Sequence, residues 1–422
     1  MNMDKKIYTG IDFGTSNSLI ATATSEKDIQ PIKLYGTDAV IPTTLFFNGR
    51  ESFYGQTAIN SYLSGASGRF MRGIKNLLGS KAEKEGTNVF GKFYSFSNLV
   101  RKFLWHIKTD TEEQIENDLE DVVLGRPVHF NDDPIEDKAA EKCLEKICYG
   151  LGFKNVSFQY EPIAAALHYE QTIKKEELTL VADLGGGTSD FSVIKLSPNN
   201  KLKTDRAKDI LANDSVHLAG TDLDKDTAYI VVMPHFGKNK DRKNGMPIPY
   251  AYFVDICEWH KIQKLYTPAY LSNCETILRE ATHPELFNRY VSMIKNKKGH
   301  YMLFEVEAAK VCLSAREKTE MDLCDIEEDF YLPITKQAFL GATSKTRNQI
   351  IEKAKETIQQ AGIKGEKIQN IIFTGGTSLV PAISDKIKAL CPNASVQKIS
   401  TYGAVGAGLA LESYRRYAKE RS

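Results

Sequence analysis

The sequence predicts an α/β fold in which one structural device is used twice, and three observations carry that expectation. Two β-rich runs flank the turn GTSN near the start of the chain, and a second pair flanks GGGTSD downstream. Each first run ends beside an aspartate, Asp12 in one and Asp183 in the other. Around these hairpins, strand-like runs alternate with segments of helical periodicity, the order that an α/β lobe requires.

Taken in order, residues 6–13 and 18–24 are the strands of the first hairpin. Residues 39–47 are strand-like, and an apolar-periodic segment lies near 96–107. Residues 122–130 read as a strand interrupted by Pro127, after which Asp133 and Pro134 open a helix to about Gly150, the acid as cap and the proline in the first turn. The second hairpin pairs 178–184 with 191–196, and the segments 221–232, 251–265, 304–318 and 346–361 have helical periodicity. A buried strand at 371–374 runs into Gly375 and Gly376, and a helix restarts near Pro381.

Composition narrows the function classes. A chain of 422 residues, 42% hydrophobic and 26% charged, is long enough for two or more lobes with their own cores. Its net charge of +1, from 55 basic against 54 acidic residues, supplies no broad field for a nucleic-acid backbone or an anionic membrane, so neither partner is expected. The opening MNMDKKIYTGIDFG holds no apolar core of a signal peptide, and no apolar run approaches a membrane span. Seven cysteines without a CxxC pair fit a reducing compartment, so a cytoplasmic location without a zinc site is expected. The basic, turn-rich stretch 237–249 is no Walker A loop and reads as an exposed loop, while GAVGAG at 403–408 lacks dinucleotide-fingerprint spacing and reads as close helix packing.

The chemistry sits in the hairpin turns. Consecutive backbone N–H groups in Gly-, Thr- and Ser-rich turns form anion-holding nests, and glycine lets the backbone come close. Aspartates cannot face phosphate without a cation between them, so Asp12 and Asp183 imply Mg²⁺. Thr15, Ser16, Asn17 and Thr188 supply hydroxyl or amide donors, and Asp190 is a third acid. DFGT alone is an ordinary turn, but two such loops together with TGGTS at 374–378 point to one polyphosphate site.

The segments GIDFGTSNS, YEPIAAALHYE, VADLGGGTSDFSV, IIFTGGTSLVP and TYGAVGAGLAL, in that order, resemble the five motifs of the actin, hexokinase and heat-shock chaperone ATPase superfamily. Within it the chain is most similar to the ATPase domain of the DnaK-type heat-shock chaperone family, from Gly10 to about Leu411. The resemblance implies a two-lobed actin-like ATPase fold with duplicated ribonuclease-H-like lobes and an inserted subdomain in each. Lobe I would take 1–168 with its insert at about 36–105, and lobe II would take 169–401 with an enlarged insert at about 220–342. Residues 402–422 would form a helix returning to lobe I.

It further implies that ATP or ADP binds with Mg²⁺ held through water by Asp12 and Asp183. Gly14, Thr15, Ser16, Asn17, Gly185, Gly186 and Gly187 would surround the phosphates. Lys75, in IKNLLG, would orient the γ-phosphate and the attacking water, Glu161 would position water or a K⁺ ion, and Asp183, Thr188 and Asp190 would complete the catalytic set. Glu307, Lys310 and Ser314, at i, i+3 and i+7 on one helix face, would contact the nucleoside with Gly375, Gly376 and Ser378.

Departures from the family qualify this expectation. Val311 and Leu379 stand where two arginines sandwich adenine, which removes the cation stacking. GRPVHF keeps Pro127, but Ile135 replaces the arginine that relays nucleotide state. The sequence ends at LESYRRYAKERS, from which a chaperone-like ATPase with slow hydrolysis and no peptide-binding domain is expected. The enlarged insert, with Trp259 and several Tyr and Phe, is the expected place for a protein partner. A nucleotide-sensing binding module with little hydrolysis and a small-molecule kinase of the same superfamily remain alternatives. An actin-like filament is disfavoured, because DLGGGTSD and EPIAAAL sit closer to the chaperones.

Overall fold

Both glycine-rich turns close antiparallel hairpins: Tyr8–Phe13 pairs with Asn17–Ser25, and Glu177–Leu184 with Ser189–Leu196. Each hairpin seeds a sheet of the same plan. In the first sheet Asp121–Arg126 runs parallel to Tyr8–Phe13, Asn155–Tyr160 runs parallel to Asp121–Arg126, and Asp28–Pro31 extends the other edge antiparallel. In the second, Asn370–Thr374 and Ser395–Gln397 take the parallel places and Ile210–Val216 the antiparallel one. The order and sense of the strands repeat, so the predicted α/β duplication is present.

The computed structural model describes residues 6–418 apart from 36, 37, 50, 79–85, 202, 204 and 398. The chain divides into two compact units. One comprises residues 1–219, 350–378 and 383–422, and the other residues 220–349 and 379–382. Both five-membered sheet paths belong to the first unit.

Parallel neighbours need crossovers, and helices supply them. The Pro134–Gly150 helix starts where the sequence places it, with the Asp133 carboxylate accepting from the N–H groups of Ile135 at 2.7 Å and Glu136 at 3.3 Å. The preceding strand stops at Arg126 rather than continuing to 130, since Pro127 has no N–H for the ladder.

Two helices lie between the sheets. Gly403–Tyr417 packs on the first sheet, Glu161–Glu170 on the second, and the two pack on each other. Their small residues permit this: a Cβ on Gly408 would land on the carbonyl of Ala164, within the buried run Ala164, Ala165, Ala166. Val123 of the first sheet, Ile372 of the second and Leu409 of the helix share one buried cluster, so the sheets are joined by a common core.

The second unit is mostly helical. Gly220–Thr227 continues through a π turn at Ala228–Val232, and Pro268–Glu280, Pro284–Lys295 and Gly299–Leu313 follow. The last of these replaces the helix expected at 304–318, because Lys318–Asp322 is instead a strand paired with Tyr331–Thr335. The helix expected at 251–265 is also broken, into Ala251–Asp255, a turn, and a 3₁₀ turn at Ile262–Leu265. Phe253, Ile256, Trp259, Ile262 and Leu265 are all buried. That three-residue spacing would wind about two-thirds of the way round an α-helix but stays on one side of tighter turns with three residues each. Residues 237–249 form a tight turn, in which the Arg242 N–H donates to the Met246 carbonyl at 2.7 Å and Lys243, Asn244 and Met246 are exposed. Among the described residues no helix is long and apolar enough to cross a membrane.

Candidate functional site

The carboxyl ends of parallel strands in an α/β sheet, where the chain turns toward its next element, are the usual place for a ligand. Here the two sheets each deliver an aspartate to such an end. Asp12 stands near the end of Tyr8–Phe13, and Asp183 near the end of Glu177–Leu184, opposite Asp190 across its hairpin. Glu161 is the first residue of the helix that follows the parallel strand Asn155–Tyr160. Lys75 lies on the 3₁₀ turn Ile74–Leu77, entered through Gly73 in the left-handed region at φ 73°.

These groups converge on a cleft within the first unit. Asp12, Gly14, Thr15, Ser16, Asn17, Lys75, Glu161, Asp183, Gly185, Gly186, Gly187, Thr188, Gly375 and Gly376 all line it. The Lys75 ammonium donates to Glu161 Oε1 at 2.9 Å, and both side chains are buried. Lys75 is therefore no surface lysine, and Glu161 at the helix start is its ion-pair partner.

The two glycine-rich loops meet in the cleft. A Cβ on Gly186 would collide with the Ser16 side chain, and one on Gly187 would come within 2.6 Å of Thr15 Oγ1. The Gly185 N–H donates to the Thr188 carbonyl at 3.0 Å and closes its turn. Thr377 Oγ1 donates to the Gly185 carbonyl at 2.6 Å, tying the TGGTS segment to the same loop. Gly375 takes φ 74°, which favours glycine, and approaches the Leu184 carbonyl too closely for any Cβ.

The charge balance is strongly acidic. Among the described residues lining or backing the cleft, the carboxyls of Asp12, Asp183, Asp190 and Glu161 face the single ammonium of Lys75. Burial and then Glu161 push the Asp183 carboxyl up to about 7, although Thr374 Oγ1 donates to it at 2.9 Å. The same two causes hold Asp12 and Asp190 well above the ordinary carboxylate range. Burial alone would lower Lys75, but Glu161, Asp12 and Asp190 outweigh it and raise its pKa. Such a set of hard oxygen donors, deficient in positive charge and rimmed by a glycine cradle, fits Mg²⁺, which takes few direct protein ligands. Among the described residues no cluster of three or more His, Cys, Asp and Glu forms a metal cage.

Some predicted residues stand apart from the cleft wall. Asp190 is buried behind it and accepts from the Val128 N–H at 2.6 Å. Ser378 is buried with its hydroxyl donating to the Gly375 carbonyl at 2.7 Å. Glu307, Lys310 and Ser314 belong to the second unit, where Lys310 pairs with Asp224 at 2.7 Å and donates to the Gly220 carbonyl at 3.1 Å. Ser314, just past the helix end, donates to the Lys310 carbonyl at 3.1 Å.

Sequence reasoning missed several contributors. Asn76 accepts from Thr15 Oγ1 at 3.0 Å, Thr374 supports Asp183, and Tyr402 lines the cleft. Only the adjacency of Asn76 to Lys75, and of Thr374 to the Gly375-Gly376 pair, could have flagged the first two.

A sequence model described as Hsp70 protein matches residues 8–246 and 289–414. The Chaperone protein DnaK of Thermosipho melanesiensis is 25% identical over 424 residues, covering 98% of this chain and 60% of that protein. The Chaperone protein DnaK of Ureaplasma parvum is 24% identical over 425 residues, covering 97% of this chain and 58% of its own. The Chaperone protein HscA homolog of Rickettsia prowazekii is 24% identical over 418 residues, covering 97% and 57%. The chain thus spans between 57% and 60% of the length of these relatives.

Proposed function

This chain belongs to the Hsp70 protein family, and on that premise we propose that the cleft of its first unit binds MgATP and hydrolyses it slowly, as a chaperone-type ATPase. The observation that carries this reading is the buried Lys75–Glu161 pair set among the half-buried Asp12 and the buried Asp183 and Asp190 under two interlocked glycine-rich loops. Asp12 and Asp183 would hold Mg²⁺ through its waters. Bound there, Mg²⁺ would supply charge neutralisation at the β- and γ-phosphate oxygens.

The residues of the chain do the rest by positioning. The loops around Gly14–Asn17 and Gly185–Thr188 offer N–H and hydroxyl donors to the phosphates. The Lys75 ammonium, steadied by Glu161 at 2.9 Å, places a fixed positive charge beside the γ-phosphate and the attacking water. Glu161, with its carboxylate facing the same space, orients that water or a K⁺ ion, and Asp190 acts as the remaining acid. Gly375, Gly376 and Ser378, with Glu307, Lys310 and Ser314, are assigned to the nucleoside.

Single-turnover hydrolysis by Lys75→Ala tests the assignment. We expect the rate to fall about 10²- to 10³-fold, the usual cost of removing a group that stabilises transition-state charge. An unchanged rate removes Lys75 from the chemistry.

A second reading is favoured by Val311 and Leu379, which are 64% and 55% exposed. Without cationic groups at those positions, nucleotide would be sensed with little turnover. Saturable ATP binding without phosphate release over hours selects this reading over the first. In either case a protein partner is assigned to the enlarged insert at about 220–342, of which residues 247–288 lie outside the match to the family model.

A further inference from the structure

Tyr402 places an aromatic ring on the wall of the cleft. It is 37% exposed, so part of its ring faces open space. The ring leans over Gly376: a Cβ there would meet the Tyr402 hydroxyl at 2.8 Å and ring carbons at 3.5 and 3.6 Å. Glycine at 376 is thus what leaves room for the ring.

The surrounding turn is held from two sides. The Ser400 hydroxyl accepts from the Gly403 N–H at 2.9 Å and its carbonyl from the Ala404 N–H at 3.2 Å. The Gly375 N–H donates to the Thr401 carbonyl at 3.0 Å, so the turn is also pinned to the segment bearing Gly375 and Gly376. Tyr402 directly precedes the Gly403–Tyr417 helix, and Val405, three residues on, lines the same cleft.

The cleft is accordingly divided in chemistry. Carboxylates, an ammonium and glycine-rich loops mark one part as the place for phosphate and cation. A flat ring carrying one hydroxyl, beside Val405 and Val40, brings no positive charge to an anion but matches a planar base or a sugar. We infer that Tyr402 is a nucleoside-positioning residue, its ring packing against the base or sugar of the bound nucleotide. This inference rests on the nucleotide reading of the cleft and adds to it the group that separates a nucleotide from a bare polyphosphate.

Calorimetric titration with MgATP and, separately, with Mg²⁺ and inorganic triphosphate tests it. Tyr402→Ala should weaken MgATP binding about tenfold, within the range of an aromatic–base stack, while leaving triphosphate binding and the melting temperature of the free protein unchanged. Tyr402→Phe, which keeps the ring, should stay within about twofold of the wild type for MgATP on the same stacking argument. MgATP affinity unchanged in Tyr402→Ala, or an equal loss for both ligands, overturns the inference while the nucleotide reading survives. A wild-type protein that binds neither ligand overturns the nucleotide reading, and this inference with it.

Discussion

At the scale of single residues, the site stores unfavourable charge. Burial and then Glu161 push the Asp183 carboxyl up to about 7, well above the ordinary carboxylate range. A carboxyl whose folded pKa lies above its unfolded value stabilises the fold below the unfolded pKa. That contribution is lost as pH rises through the folded value, here between about 4 and 7. Because Mg²⁺ needs the ionised form, the stabilisation by MgATP should grow over the same range and be larger at pH 8 than at pH 6. Thermal unfolding with and without MgATP at the two pH values measures this, and an equal or smaller shift at pH 8 contradicts it. Glu161→Gln removes the second-largest cause of the shift and should move the pH midpoint of MgATP binding downward. Asp12, Asp183 and Glu161 were legible because each sits in a motif whose chemistry is local. Asn76 and Tyr402 were not, since their places arise from folding: Thr15 and Asn76 are 61 positions apart when they meet.

Secondary-structure elements were legible where backbone rules act locally and illegible where tertiary burial overrides them. Asp133 and Pro134 announce their helix, and Asp133→Ala should cost about 1 kcal/mol in denaturant unfolding, the ordinary value of a lost N-cap. The stretch 251–265 misled because its apolar residues do suggest a helix, while burial at every third position from Phe253 to Leu265 selects tighter turns. Close packing between the Glu161–Glu170 and Gly403–Tyr417 helices makes the strongest demand on any one position. Gly408→Val would press into the Ala164 carbonyl, and a loss of roughly 1–3 kcal/mol or outright misfolding is expected. A variant as stable as the wild type would contradict the described packing.

Across the whole molecule, one chemical device is built twice on two sheets of the same strand order, and the first unit thereby assembles a cleft from segments as far apart in numbering as Asp12 and Val405. The duplication was readable in the sequence because both hairpin turns carry the same residue types. The second unit holds the stretch 247–288 that the family model does not match, and there the sequence offered composition without a motif. Its own aromatic cluster is internal, with Phe253 and Tyr290 at 5.5 Å and Phe287 and Tyr290 at 5.3 Å between ring centroids. Nearby Met246 and Tyr250 are 56% and 73% exposed. Replacing both with Ser should change stability by no more than about 0.5 kcal/mol and leave MgATP affinity unaltered.

The central claim is that the paired aspartate loops hold a nucleotide through magnesium. Calorimetric titration of the full chain with ATP, in excess Mg²⁺ and again in excess EDTA, tests it most directly. We predict saturable binding at one site with Mg²⁺ and an affinity at least about tenfold weaker without it, since the Asp12 and Asp183 carboxyl groups then face the phosphates with no cation between them. Equal affinity in EDTA, or no binding in either condition, would contradict the account.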